Sequence, residues 1–250
     1  MVWLAVGLIV GLTLLTIIAF ISAILLIGRS QLSVSSSRAP ASSVSLSTAL
    51  PTPTIMARPT NRAALSFDTV LLSDSFENPQ MSSLGTGTSS SATYAFVDGA
   101  YQITVMKPQY IAWSPFSGSY RNVSVEVDIL FDTTMNDTSA GLIFDYQNEK
   151  NFYFFSITAD GHYALDLQHN GEWIALIDWT ESPAIKAVGK SNRLRVEVLG
   201  DRIRLYVNDI LLDEASDNTF NSGGMALAVN TFAKSDITVK FDNLLVKGSA

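Results

Sequence analysis

Four carboxylates fall where β-strands would hold them rigidly: Glu126, Asp128, Asp145 and Asp166. Side chains two apart on a strand share a face. Two carboxyls on one face, about 5–10 Å apart, can divide acid and base or nucleophile work on a glycosidic bond. Glu126 and Asp128 share the polar side of VSVEVDILF, but the next position on that side is Leu130, and Asp132 lies a further step away. The simpler reading is two carboxylates on a solvated strand face. Asp145 and Asp178 sit in LIFDYQ and LIDW, near strand interiors. Asp166 shares its side with His162, Ala164 and Gln168, a polar row that can hydrogen-bond hydroxyls.

Aromatic residues give a stronger signal. Tyr146, Phe152, Tyr153, Phe154, Phe155, Trp173 and Trp179 crowd the middle of the chain. In 152–155 alternation sends one aromatic pair away from the core, and Tyr153 and Phe155 are taken as that pair. With His162, Asp166, Gln168, Trp173 and Trp179 they form the expected ligand-binding set, because flat aromatic faces stack on apolar ring faces. Trp113, after YIA, is expected in the core. His162 and His169 are the only histidines, and an odd separation puts them on opposite faces, which argues against a two-histidine metal site. The loop around Asp132, Asn136 and Asp137 has oxygen ligands of the kind calcium takes, without an EF-hand pattern. No other cofactor is expected: there is no Gly-rich phosphate loop, no G-x-S-x-G setting for a triad and no cysteine.

The elements that must carry these residues are strands. Val123, Val125, Val127, Ile129 and Phe131 alternate with Ser124, Glu126, Asp128, Leu130 and Asp132, the period of a strand with one buried face. About twelve such segments follow from residue 100 to the end. Asp160-Gly161, Asn170-Gly171, Gly200-Asp201 and Asn208-Asp209 separate them as hairpin turns. Ser182 to Val188 is expected as a turn or short helix. The fold class is therefore all-β, a two-sheet antiparallel jelly-roll sandwich over 67–250, because each sheet must cover the other's apolar face.

The first 66 residues are of another kind. Residues 2–27 are apolar and free of charge, Pro, Asn and Gln. As a helix they reach about 39 Å, enough to cross a bilayer core of about 30 Å. No basic residue precedes them and the run is too long for a cleaved signal. Residues 1–28 are thus expected as one transmembrane helix, and the Gly7/Gly11 pair as a weak dimerisation motif. In residues 30–62, 17 of 33 are Ser, Thr or Pro, so 29–66 reads as a disordered stalk. Arg29 and Arg38 favour a cytoplasmic domain by the positive-inside rule. The stalk and β-domain favour the cell surface, which is the orientation adopted. All 23 acidic residues lie at Asp68 or beyond, with 12 of the 16 basic ones, giving that part a net charge of −11. Such a domain does not suit nucleic acid.

The run GLIF, NFYFFSI, DGHYALDLQ, NGEWIALIDW, ESPAI, NRLRVEVLGDRIRLYVND and ITVKFDNLLV resembles the concanavalin A-like lectin/glucanase superfamily. It is most like the laminin-G-like and keto-disaccharide-hydrolase-type jelly rolls. The likeness covers about residues 70–247. It departs from relatives at Asn208-Asp209, where an Asn-Gly turn is usual. The resemblance implies a curved sandwich with a concave, often glycan-binding face, and for its glycosidases an E-x-D-x-E strand that Leu130 interrupts here. Three readings remain open: a non-catalytic surface protein that binds carbohydrate or another extracellular ligand, a glycoside or keto-disaccharide hydrolase, and a structural or sensor ectodomain.

Overall fold

The computed structural model describes residues 66–132 and 137–249. The expected span at 2–27 with Gly7 and Gly11, nearly all of the stalk, and Asn136 lie outside the described residues.

Among the described residues fifteen strands form two antiparallel sheets. They are β1 (Thr69–Asp74), β2 (Gly87–Thr88), β3 (Ala92–Val97), β4 (Ala100–Val105), β5 (Tyr110–Tyr120), β6 (Val123–Phe131), β7 (Thr138–Asn148), β8 (Asn151–Thr158), β9 (His162–His169), β10 (Glu172–Glu181), β11 (Asn192–Leu199), β12 (Arg202–Val207), β13 (Ile210–Ser216), β14 (Gly223–Thr231) and β15 (Ile237–Gly248). The nine-stranded sheet runs β13-β12-β11-β6-β15-β4-β3-β2, with β1 continuing the line of β4 along the far half of β15. The six-stranded sheet runs β10-β9-β8-β7-β14-β5. β1 to β3 are the strands that periodicity does not reveal, being short or weakly alternating. β5 extends past Pro115, which an edge strand tolerates because its missing N–H breaks no ladder.

The core lies between the sheets. Val123, Val125, Val127, Ile129 and Phe131 of β6 are at most 2% exposed and face Ala140, Leu142 and Phe144 of β7, with Tyr153, Phe155 and Ile157 of β8. Tyr101 ties the sheets together: its hydroxyl donates to Gly85 O (2.6 Å) and pairs with Ser114 Oγ (2.7 Å). Burial pushes that phenol up to about 12. The turns match their chemistry. Asn208 and Asp209 both take positive φ (49° and 66°), so Asp supplies what Gly gives elsewhere, while Asn170-Gly171 closes the β9–β10 hairpin. Ser182 to Val188 contains a turn closed by Ile185 N–H to Ser182 O (3.2 Å).

Gly141 shows how tightly the six-stranded sheet is built. A Cβ there would lie 1.9 Å from Phe155 O, whereas one at Gly87 would meet nothing within 4 Å. Gly141→Ala should lower stability by about 3 kcal/mol through backbone displacement, and Gly87→Ala by less than about 1 kcal/mol. Urea unfolding of the two variants beside wild type checks the ordering.

Candidate functional site

The six-stranded sheet is apolar on both faces. Its inner face meets the core. On the outer face Ile143, Phe152, Phe154, Ala226 and Ala228 form a second buried cluster, joined by Ile111, Trp113 and Tyr146. Cross-strand pairing makes a map of this face. One row reads Trp113–Ala228–Gly141–Ser156–Ala164 and ends at an irregularity in β10 that sets Asp178 and Trp179 opposite Ala164. The next reads Pro115–Ala226–Ile143–Phe154–Asp166–Ala175. Beyond it Phe152, Gln168 and Trp173 are aligned. The first row thus carries small side chains on its middle strands, while Ile143, Phe152 and Phe154 fill the middle of the rows beside it.

The face is hollow. Trp179 of β10 meets Phe232, just past β14, with ring centroids 6.3 Å apart. Four strand-to-strand steps separate β10 from β14, about 19 Å in a flat sheet. The rings meet because the sheet curls toward its outer side. The facing wall consists of Trp113, Tyr146 and Trp173, each packed on Phe152 at 5.6–6.2 Å. Trp173 and Trp179 remain 49% and 45% exposed. With its amide turned to satisfy both partners, Gln168 donates to Glu149 O (2.8 Å) and accepts from Trp173 Nε1 (3.3 Å), which fixes the indole.

Between the walls lies polar chemistry without partners. Ser139 and Ser156 are fully buried and their hydroxyls make no hydrogen bond. Asp166 enters no hydrogen bond or ion pair among the described residues, and burial, then the neighbouring Asp178 carboxylate, pushes it up to about 6. A ring with flat apolar faces and a hydroxylated rim matches the accessible part of this arrangement: the tryptophan surfaces for its faces, Asp166 for its edge.

Other expected site residues are distributed differently. Tyr153 and Phe155 point into the core and are fully buried; Phe152 and Phe154 take the outer face. The parity is set by β7 and β9, since Tyr153 pairs with Phe144 and Leu167, which belong to the core. Trp113 lies on the outer face rather than in the core. His162 sits at the end of β9 with Nδ1 3.2 Å from Asp160 Oδ1. Glu126 and Asp128 belong to the other sheet and cannot pair with Asp166. Asp128 accepts from Arg193 (3.0 Å) and Asn243 (3.0 Å). Asp145 lies in a β7 bulge, where it and Phe144 oppose Met225 alone. It is 2% exposed, with one oxygen unpartnered, and burial pushes it up to about 6. Among the described residues no three His, Cys, Asp or Glu side chains are grouped to hold a metal ion. Of the calcium candidates, Asp132 is exposed and Asp137 keeps a buried unpartnered oxygen. Ser139, Ser156 and Phe232 escape sequence reasoning, because their convergence depends on pairings between distant strands.

Four clefts of about 210–400 Å³ lie on the outer face of the nine-stranded sheet, one of them lined by Asp128, Lys186, Ser191, Arg193, Asn208 and Asp209. Part of their charge is satisfied locally. Besides Arg193–Asp128, Arg195 bonds Glu197 (2.9 Å) and covers the Tyr206 ring at 4.1 Å.

No protein-family model matches the chain, and no characterised protein matches it in sequence. Solved structures do match. A carbohydrate-binding module from Bacillus subtilis (CBM66) superposes with a TM-score of 0.54 at 24% identity, covering 68% of this chain and 98% of the module. A Bacillus subtilis protein of unknown function with a galectin-like fold gives 0.58 at 9% identity, over 74% and 99%. A Bacillus licheniformis beta-glucanase gives 0.53 at 11%, over 74% and 100%. The described domain is a concanavalin A-like jelly-roll sandwich.

Asp145 and Asp166 bind a proton more tightly when folded than in the unfolded chain, where the ordinary value is 3.8. Their contribution to stability is full below that value and is lost as pH rises through about 6. Asp166→Asn removes one of these titrations. The variant should lose less stability between about pH 4 and 6 and exceed wild type at neutral pH. Urea midpoints across that range test it, and a variant weaker than wild type at neutral pH would refute the assignment.

Proposed function

We propose that this domain is a non-catalytic carbohydrate-binding module, displayed on the cell surface by the N-terminal apolar segment. One observation carries the reading: a curled outer sheet face with two half-exposed tryptophans and the unpartnered Asp166 carboxylate between them. The fold is shared with a carbohydrate-binding module and with glycan-cleaving enzymes, which supports a saccharide ligand. Asp128 is engaged by Arg193 and Asn243, which takes it away from acid or base work and favours binding over hydrolysis. Residues 2–27, long enough to span a bilayer, and the Ser/Thr/Pro tract support tethering with the domain outside.

A hydrolase is the second reading, favoured by one feature: the Asp166 and Asp178 carboxylates interact on the same sheet and Asp166 titrates high. Incubation of the full chain with the oligosaccharides it binds separates the two. Recovery of intact ligand is expected, and shortened products abolished in Asp166→Asn would establish hydrolysis.

The binding site itself is tested by Trp173→Ala and Trp179→Ala in the full chain. Each should weaken glycan affinity about tenfold, the equivalent of about 1.4 kcal/mol of stacking and buried area. Unchanged affinity in both would remove the groove from consideration. Protease added to intact cells should cleave the stalk; protection would place the domain in the cytoplasm.

A further inference from the structure

The two sheets divide the charge. The strands of the six-stranded sheet carry Asp145, Asp166, Glu172, Asp178 and Glu181 and not one Lys or Arg. The nine-stranded sheet holds Arg193, Arg195, Arg202, Arg204, Lys240 and Lys247 in its strands. Its arginines are spent on its own carboxylates, Arg193 on Asp128, Arg195 on Glu197, and Arg202 and Arg204 on Glu214. Asp166 and Asp178 on the hollow face have no such partner. Asp178 stands opposite Ala164, two positions along β9 from Asp166 on the same face, so the two repel each other, and neither carboxylate enters an ion pair among the described residues. Two carboxylates held together without a cation are an unfilled demand for positive charge.

Two features make this more than an acidic patch. Ser156, fully buried with an unpartnered hydroxyl, lies on the same outer face, one row from Asp166 on the neighbouring strand. Exposed aromatic rings flank the pair: Trp179 follows Asp178 in sequence and leans on Phe232, and Trp173 lies one row beyond Asp166. Aromatic faces with carboxylates beside them hold ammonium groups by cation–π attraction and charge-assisted hydrogen bonds. The same face disfavours uronic, sulfated and phosphorylated glycans, since none of its strands supplies a cation.

Resting on the carbohydrate-binding reading, we propose that the hollow face of the six-stranded sheet binds an amino sugar through its free ammonium group, held by Asp166 and Asp178 between aromatic side chains. The site takes glucosamine-type units and discriminates at the nitrogen.

Three tetrasaccharides with one backbone and different C2 substituents test this: β-1,4-linked glucosamine, N-acetylglucosamine and glucose. Titration calorimetry on the full chain in detergent should give at least about tenfold tighter binding for the glucosamine form. Asp166→Asn and Asp178→Asn should each remove most of that preference. Asp98→Asn, in the exposed β3–β4 turn, should leave it intact and so exclude general attraction of a cation to an acidic protein. Binding of the glucose form as tightly as the glucosamine form, weakened by Trp173→Ala, would overturn the ammonium assignment and leave the carbohydrate reading standing. A glucosamine preference untouched by both Asp variants would overturn it too. If none of the three binds, nor any member of a wider neutral glycan panel, the carbohydrate reading itself falls.

Discussion

The structure turns on a sheet that is apolar on both sides while only one side has another sheet to cover it. Burying apolar area gives about 25 cal/mol per Å², and the inner face of the six-stranded sheet obtains this from the nine-stranded one. The outer face, with Phe152, Phe154, Ile143 and two alanines, has no third layer among the described residues. It reduces its exposure by curling, so that Trp113, Trp173, Trp179 and Phe232 close over it. Curling hides the floor but leaves the rim tryptophans about half exposed, because a closed seam would need side chains the sheet does not have. A hollow lined by aromatics is thus the consequence of an unsatisfied packing requirement, and binding is what such a hollow is suited to do.

Charge follows the same division. The nine-stranded sheet meets water with a face of alternating acids and bases that satisfy one another, as expected of a strand surface with polar residues at every second position. Asn192, on the inward side at the start of β11, is satisfied too: fully buried, it accepts from Lys186 N–H (2.8 Å) and Asn208 Nδ2 (2.9 Å) and donates to Lys186 O (2.9 Å), which ties the loop before β11 to the sheet. On the hollow face Gln168 is satisfied, but Ser139 and Ser156 are buried without partners, and each such group costs about 1–3 kcal/mol.

Much of the architecture was legible in the chain. The run NRLRVEVLGDRIRLYVND yields β11, its turn and β12, because alternation and turn residues agree at every position. β6 is equally plain. The parity of β8 was not: in NFYFFSIT every position from 152 to 155 is aromatic, so periodicity offers two equal solutions, and only pairing of Tyr153 with Phe144 and Leu167 decides between them. Trp113 misleads for a related reason. YIAW is too short to show its period, and the strand continues through Ser and Pro, residues that normally end one. The pattern Trp113–Ala228–Gly141–Ser156–Ala164 draws on five strands spread over 116 positions of chain, and no local signal predicts that they align.

The curl has its own local causes. β7 is irregular against both neighbours near Phe144 to Asn148, and β10 twice against β9 between Ala175 and Thr180. An extra residue in one strand bends it and increases the local twist. In β7 the extra residue is Asp145, held at positive φ (47°), and Gly223 admits it: a Cβ on Gly223 would lie 2.5 Å from the Asp145 carbonyl carbon. In β10 the irregularity sets Asp178 and Trp179 opposite Ala164, so two consecutive side chains, one charged and one aromatic, arrive where a regular strand would present one. The bend that brings Trp179 over the groove and the doubling that sets Asp178 near Asp166 are therefore the same event. Restoring regular pairing in β10 would flatten the rim and separate the two carboxylates together.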